Sequence, residues 1–320
     1  MGSTADIITG VPKSKGIEMV EIGCGGYPGN AHADPEILLN DEAKLEEFKA
    51  LIKKYGVEIS ALSCHGNPVH PNKEIAADYD KTIRNTILLA EKLGLHQINT
   101  FSGCPGDSES SKNPNWVTCP WPEDFLAILD WQWNEKLIPY WAEMAKFALD
   151  HGVEHIAFEM HPGFCVYNPE TLLKLRAAVS AVAGEAVGNV LGANFDPSHL
   201  IWQGMDPVAA IRELKGVIYH FHAKDTKIDK YNTAKNGVLD TKHYSDELGR
   251  AWVFRTVGFG NDASYWRDII SNLRLCGYDG ALSIEHEDSV MTIDEGLKKA
   301  IAFLAPMVME EDKPLTMSWA

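Results

Sequence analysis

The chain has 320 residues, 45% hydrophobic and 23% charged, which is an ordinary globular balance with enough apolar matter for one large core. A net charge of −16 argues against a nucleic-acid partner, which requires a positive surface. No apolar run approaches the roughly 20 residues that span a bilayer, and the opening MGSTADIITGVPKSKG lacks the apolar centre of a signal peptide, so no membrane role and a cytoplasmic location are expected.

In chain order, Met19-Val20-Glu21-Ile22-Gly23 reads as the first clear strand and runs into the turn Cys24-Gly25-Gly26-Tyr27-Pro28-Gly29. Leu45, Phe48, Leu51 and Ile52 then repeat at helical spacing until Gly56 stops them. Residues 57–63 form the next strand, ending at Cys64-His65. A long amphipathic helix follows over about 73–93, and Gln97–Phe101 is again a strand. Residues 103–135 read as an irregular insertion with four tryptophans, Trp116, Trp121, Trp131 and Trp133. That many aromatics argue for a functional lid rather than disorder.

Four short apolar runs follow, each ending in a residue that can hold a divalent metal: Ile156–Phe158 before Glu159, Val190–Phe195 before Asp196, Val217–Phe221 before His222, and Ala281–Ile284 before Glu285. Continuous apolar runs of this length read as strands of a parallel sheet buried on both faces. Helices are expected at about 169–183, 207–214, 265–275 and 293–309, with a second long insertion at 226–257 and a tail at 310–320.

Seven strands alternating with helices make one α/β domain of (β/α)8, TIM-barrel type, spanning 1–320. Ala5–Thr9 offers an eighth strand, but Gly10–Gly16 is short for a crossover, so the first unit is degenerate or closes irregularly. Spacings of 37 and 26 residues between the first three ligand-type residues fit one strand–helix–strand unit each, whereas the 63 from His222 to Glu285 fits one unit plus the insertion, or two.

In such a barrel, strand C-termini meet on the face that carries chemistry. Glu159, Asp196, His222 and Glu285 form an oxygen-rich set with one imidazole, suited to one ion of Mn²⁺, Mg²⁺, Co²⁺ or Fe²⁺. Each alone has a plainer reading; Asp196, before Pro197, could simply cap a helix. His65, His161, His199, Lys224 and Asp225 lie nearby in the pattern; the histidines and the lysine read as sugar-hydroxyl contacts or proton carriers, although His161 could equally bond within its own loop. His220 is expected to point away from the ligand side, and Glu287 towards it as a supporting partner or minor ligand. Arg255, before a glycine-rich turn, could clamp a polar ligand or pair with a surface acid. Gly258 and Gly260 do not complete a dinucleotide fingerprint. The six cysteines show no CxxC pair and read as buried or site-lining thiols.

The motifs FEMHP (158–162), NFDPSH (194–199), HFHAKD (220–225), RTVGFG (255–260) and LSIEHED (282–288) resemble those of the xylose isomerase-like barrel superfamily. Within it they are most similar to the sugar phosphate isomerase/epimerase group, which includes ketose 3-epimerases and inosose dehydratase-like proteins. The resemblance implies that Glu159, Asp196, His222 and Glu285 bind one divalent ion, typically Mn²⁺, Mg²⁺ or Co²⁺. It implies that Glu159 and Glu285 move a proton on either face of the carbon beside a carbonyl, and that His199 touches a carbohydrate substrate. Two positions depart from the 3-epimerase pattern: Cys165 stands where those enzymes carry a further glutamate, and their arginine soon after the His ligand has no counterpart at that distance, Arg255 being the nearest substitute. A related branch cleaves 3-oxo-glycosides by elimination, in some cases with a small second subunit. A homo-oligomer or such a two-subunit complex is therefore expected.

Overall fold

The computed structural model describes residues 16–311. Seven parallel strands form one nearly closed sheet: β1 (Met19–Gly23), β2 (Glu58–Ser63), β3 (Gln97–Thr100), β4 (His155–Glu159), β5 (Leu191–Phe195), β6 (Ile218–Ala223) and, after two strands outside the barrel, β9 (Leu282–Ile284). All seven are the strands expected from the apolar runs. Ala5–Thr9 lies outside the described residues.

β6 pairs directly with β9, His222 opposite Ser283, so the 63-residue gap is one unit plus an insertion. Helix Ala263–Leu275 is the crossover, its Trp266, Ile269 and Leu273 buried. Local signals set the helix ends as the sequence suggests. Asn72 caps helix Lys73–Leu93 by accepting from the amides of Glu74 and Ile75, and Gly94 ends it at φ 70°, a conformation costly for residues with a Cβ.

Both insertions are more ordered than expected. Residues 103–135 are irregular only in their first part: a helix begins at Asp124 and continues through a π-helical turn, Gln132–Leu137, into helix Ile138–Asp150. The four tryptophans do not share one environment. Trp133 is buried, Trp116 packs edge-on against Tyr167, and Trp121 is 75% exposed. In the second insertion, β7 (Asp225–Ile228) and β8 (Trp252–Arg255) form an antiparallel pair enclosing a short helix, Lys230–Asn236. Trp252 of this pair stacks on Trp202 at 4.4 Å and makes a small second core.

The barrel interior is polar towards the C-terminal ends of its strands. Glu21, Ser63, Asn99, Asn194, His220 and His222 face one another there, where many barrels place branched aliphatic residues. Among the described residues, no helix is long and apolar enough to cross a membrane.

Candidate active site

Each of the four predicted ligands sits at or just beyond a strand end because its strand is an apolar run that terminates there. One donor atom from each of Glu159, Asp196, His222 and Glu285 lies within 4.8 Å of all the others. Glu159 Oε1 accepts a 2.8 Å hydrogen bond from His199 Nε2, and Oε2 stands 3.1 Å from His65 Nε2. His222 Nδ1 is 3.1 Å from Glu285 Oε2 and 3.5 Å from Glu159 Oε2. For Asp196 both sequence readings hold at once. Oδ1 caps helix Pro197–Trp202 by accepting from the Ser198 amide at 2.8 Å, while Oδ2 turns into the cluster.

Lys224 is the internal cation of this cluster, only 2% exposed. Its Nζ lies 3.0 Å from Asp196 Oδ2, 3.0 Å from Glu285 Oε2, 3.3 Å from Glu287 Oε2 and 4.0 Å from Glu159 Oε1. Burial alone would strip its proton, but these carboxylates outweigh burial and hold the ammonium well above its usual range. Burial lifts the Glu285 carboxyl too, yet Lys224 and His222 outweigh it and hold it at about 2. Glu159 is likewise held well below the usual range, by hydrogen bonds from His199 and His65 and by Lys224, against burial. Asp196 goes the other way. Burial raises it to about 7, Lys224 opposes, and the charges of Glu159 and Glu285 reinforce the rise.

The donor set passes a direct test of fit for a divalent ion. Asp196 Oδ2 and Glu285 Oε2 are buried and turn into a common centre, where Lys224 Nζ at 3.0 Å from each, and His222 Nδ1 at 3.1 Å from Glu285 Oε2, partly neutralise them in place of a full shell of donors. Three carboxylates and one imidazole suit a hard or borderline cation.

Around the centre, the buried His199 ring is kept neutral, its pKa lowered to about 3 by burial together with His161 and Lys224. His161 Nδ1 donates to its own loop at Pro162 O, 2.6 Å away, and its ring lies 4.0 Å from that of His199 and 5.2 Å from Phe101. The loop bond and the position beside the site therefore coexist. Arg255 is engaged elsewhere: Nη2 donates to Glu247 at 2.8 Å and Nη1 to Phe254 O at 2.8 Å. Phe254 of β8 reaches the site instead, its ring 5.4 Å from His199 and 4.8 Å from Lys224 Nζ.

Asp225 is structural. Its two oxygens accept from the amides of Thr226, Gly258, Gly260 and Asn261 and from the side chains of Asn261 and Trp266. The RTVGFG turn is thus a nest for an internal carboxylate. His220 corrects an expectation: residues two apart in a strand share a face, so it points inward with His222, their rings 5.5 Å apart. All six cysteines are free thiols, Cys24, Cys64, Cys104 and Cys165 buried among them.

Sequence reading missed Glu21 and Phe254. The signals were present: a carboxylate inside the apolar strand Met19–Gly23, and the alternation Trp252, Phe254 at the end of a charged insertion.

A family model described as xylose isomerase-like TIM barrel matches residues 13–307. The uncharacterized protein YfiH of Bacillus subtilis (strain 168) is 37% identical over 297 residues, 92% of each chain. The rhizopine catabolism protein MocC of Rhizobium meliloti is 31% identical over 242 residues, 75% of this chain and 66% of its own length. Among solved structures, D-psicose 3-epimerase from Clostridium cellulolyticum H10, crystallised with D-tagatose, superposes with a TM-score of 0.60 at 16% identity, covering 95% of this chain and 92% of that one. That likeness is one of fold.

Proposed function

Because the chain belongs to the xylose isomerase-like TIM barrel family, we propose that it is a divalent-metal-dependent carbohydrate isomerase or epimerase that moves a proton at a carbon beside a carbonyl. The observation that carries this reading is the convergence of four ligand-type side chains from four strands, with the buried oxygens Asp196 Oδ2 and Glu285 Oε2 turned into their common centre beside Lys224. Glu159, Asp196, His222 and Glu285 would hold one ion, Mn²⁺ in first place, with Mg²⁺ or Co²⁺ as alternatives. Such an ion, when bound, supplies Lewis-acid stabilisation of negative charge on a substrate oxygen.

The chain's own groups divide the remaining work. Glu159 and Glu285 enter from β4 and from the end of β9, and we assign them to remove and return the proton. Neutral His161, with Nδ1 committed to its loop, presents Nε2 to a substrate hydroxyl or to the moving proton. His65, His199 and Lys224 bind sugar oxygens, while Phe101 and Phe254 exclude water from the reacting face. Arg255 joins substrate binding only by exchanging its Glu247 partner.

Elimination is the second reading, and Glu287 favours it. Its Oε2 lies 3.3 Å from Lys224 Nζ at the edge of the centre, and burial, opposed by Lys224 and reinforced by Glu285 and Glu159, raises its pKa, which makes it the best-placed carboxyl to protonate a leaving group. The same proton removal would then expel a hydroxyl or an aglycone instead of returning a proton. Proton-exchange NMR in D₂O with Mn²⁺ present separates the two. Deuterium at the carbon beside the carbonyl with an epimeric or isomeric sugar supports the first reading, and loss of a β-substituent the second. No exchange with any carbonyl sugar or 3-oxo-glycoside sinks both. A cytoplasmic homo-oligomer, or a complex with a small second subunit, goes with this proposal, and light scattering on the purified protein checks its state of association.

A further inference from the structure

A second group with metal-ligand spacing lies deeper in the barrel: Glu21, His220 and His222. Its hydrogen bonding differs from that of the four-residue cluster. Glu21 Oε1 accepts from Ser63 Oγ and, at 2.9 Å, from Asn99 Nδ2; Oε2 accepts from His222 Nε2 at 2.8 Å and from Ser283 Oγ at 3.1 Å. Both nitrogens of His220 are also partnered, Nδ1 by Asn194 Oδ1 at 3.1 Å and Nε2 by Ser60 Oγ at 3.3 Å. Apart from His222 Nδ1, which turns to the four-residue cluster, no lone pair in this group awaits a cation.

We propose that Glu21 is the positioning residue of the active site, holding His222 through Nε2–H so that Nδ1 faces Glu159, Asp196 and Glu285. The chemistry is that of a carboxylate fixing the ring orientation and tautomer of a metal-ligating histidine. Asn194 Nδ2, a donor, also stands 3.1 Å from Nε2 and would need a lone pair there, but the 2.8 Å contact with the anionic Glu21 needs a proton at Nε2, and the charged acceptor sets the tautomer. Glu21 is well placed for this role because its other donors come from β2, β3 and β9. The carboxylate is therefore clamped from several strands and cannot swing with the ring it holds. Ser283 also lies on β9, the sheet edge opposite β1, so the same carboxylate ties the two unpaired edges together near the site. His222 is thus gripped at Nε2 from within the barrel, while Nδ1 is left for the centre.

This inference rests on the metal-centre reading above, and the test separates the two. Mn²⁺ binding is titrated by calorimetry for wild type and Glu21→Gln, which keeps the shape but removes the charge, with circular dichroism as the check on folding. The expected result is one ion per chain in wild type and an affinity lower by about 10- to 100-fold in the variant. Unchanged affinity in a folded Glu21→Gln overturns the positioning role and leaves the metal centre standing. Two ions per chain in wild type, one of them lost in the variant, overturns it in favour of a second metal site. No ion in wild type overturns both readings. A measurement on wild type alone covers the case in which the variant fails to fold. In Zn²⁺-loaded, ¹⁵N-histidine-labelled protein, His222 should show a metal-bound Nδ1 and a protonated Nε2, and ligation through Nε2 refutes the proposal.

Discussion

Replacing Lys224 with methionine removes the cation that keeps the carboxylate cluster together in metal-free protein. Nζ lies 3.0 Å from both Asp196 and Glu285 and 4.0 Å from Glu159, at 2% exposure. At an effective dielectric near 20, one such contact at about 4 Å is worth roughly 4 kcal/mol before desolvation is subtracted. Removing one partner of a buried pair typically costs about 3–5 kcal/mol, because the other charges stay buried and unpaired. The Glu285 side chain is 32% exposed, so water offsets part of that loss and the lower end is expected, about 3 kcal/mol. A divalent ion offers the same carboxylates a replacement cation. Lys224→Met should therefore lose about 3 kcal/mol in urea unfolding with EDTA present, recover most of it in saturating Mn²⁺, and bind Mn²⁺ at least tenfold more tightly than wild type. An equal loss with and without metal would refute the reasoning, since Lys224 would then be supporting something other than this cluster.

Mn²⁺ affinity should rise with pH through about pH 7 and keep rising above it, because Asp196, raised to about 7, and His222, held against burial well above its ordinary range by Glu21 and Glu285, must each lose a proton to become ligands; titration calorimetry across that range is the check, and a flat profile would contradict it. Burial lowers His220 to about 4, so below its unfolded pKa of about 6.5 the unfolded chain takes up the proton more readily than the folded one. Its contribution to stability is thus intact above pH 6.5 and falls as the pH drops towards 4; His220→Gln should flatten the acid limb of the denaturation profile, and an unchanged limb would refute the assignment. Asp225→Ala strands the donors of the 256–261 turn and of Trp266 and should cost about 3 kcal/mol or more in urea unfolding, a loss below about 1 kcal/mol arguing against the nest.

The sequence by itself determined the strands and the ends that carry chemistry. A strand buried on both faces must be an apolar run, so an acid or histidine that terminates one is visible without knowing its neighbours. That is why Glu159, Asp196, His222 and Glu285 could be read from the chain and why the structure brings them together. It also showed that Asp196 could cap a helix, without revealing that its two oxygens do both jobs. What the tertiary structure decided is every matter of partnership. Only the pairing of β6 with β9 resolves the 63-residue gap, and only the antiparallel pair in the second insertion brings Phe254 to the site while tying Arg255 to Glu247. The inward turn of His220 was legible from the two-residue period of a strand. What it bonds to was not. Glu21 is the extreme case: its partners His222 and Ser283 lie 201 and 262 positions away, and local periodicity carries no information over such distances. A carboxylate inside an apolar strand shows that a partner must exist, and only the closing of the barrel selects which one.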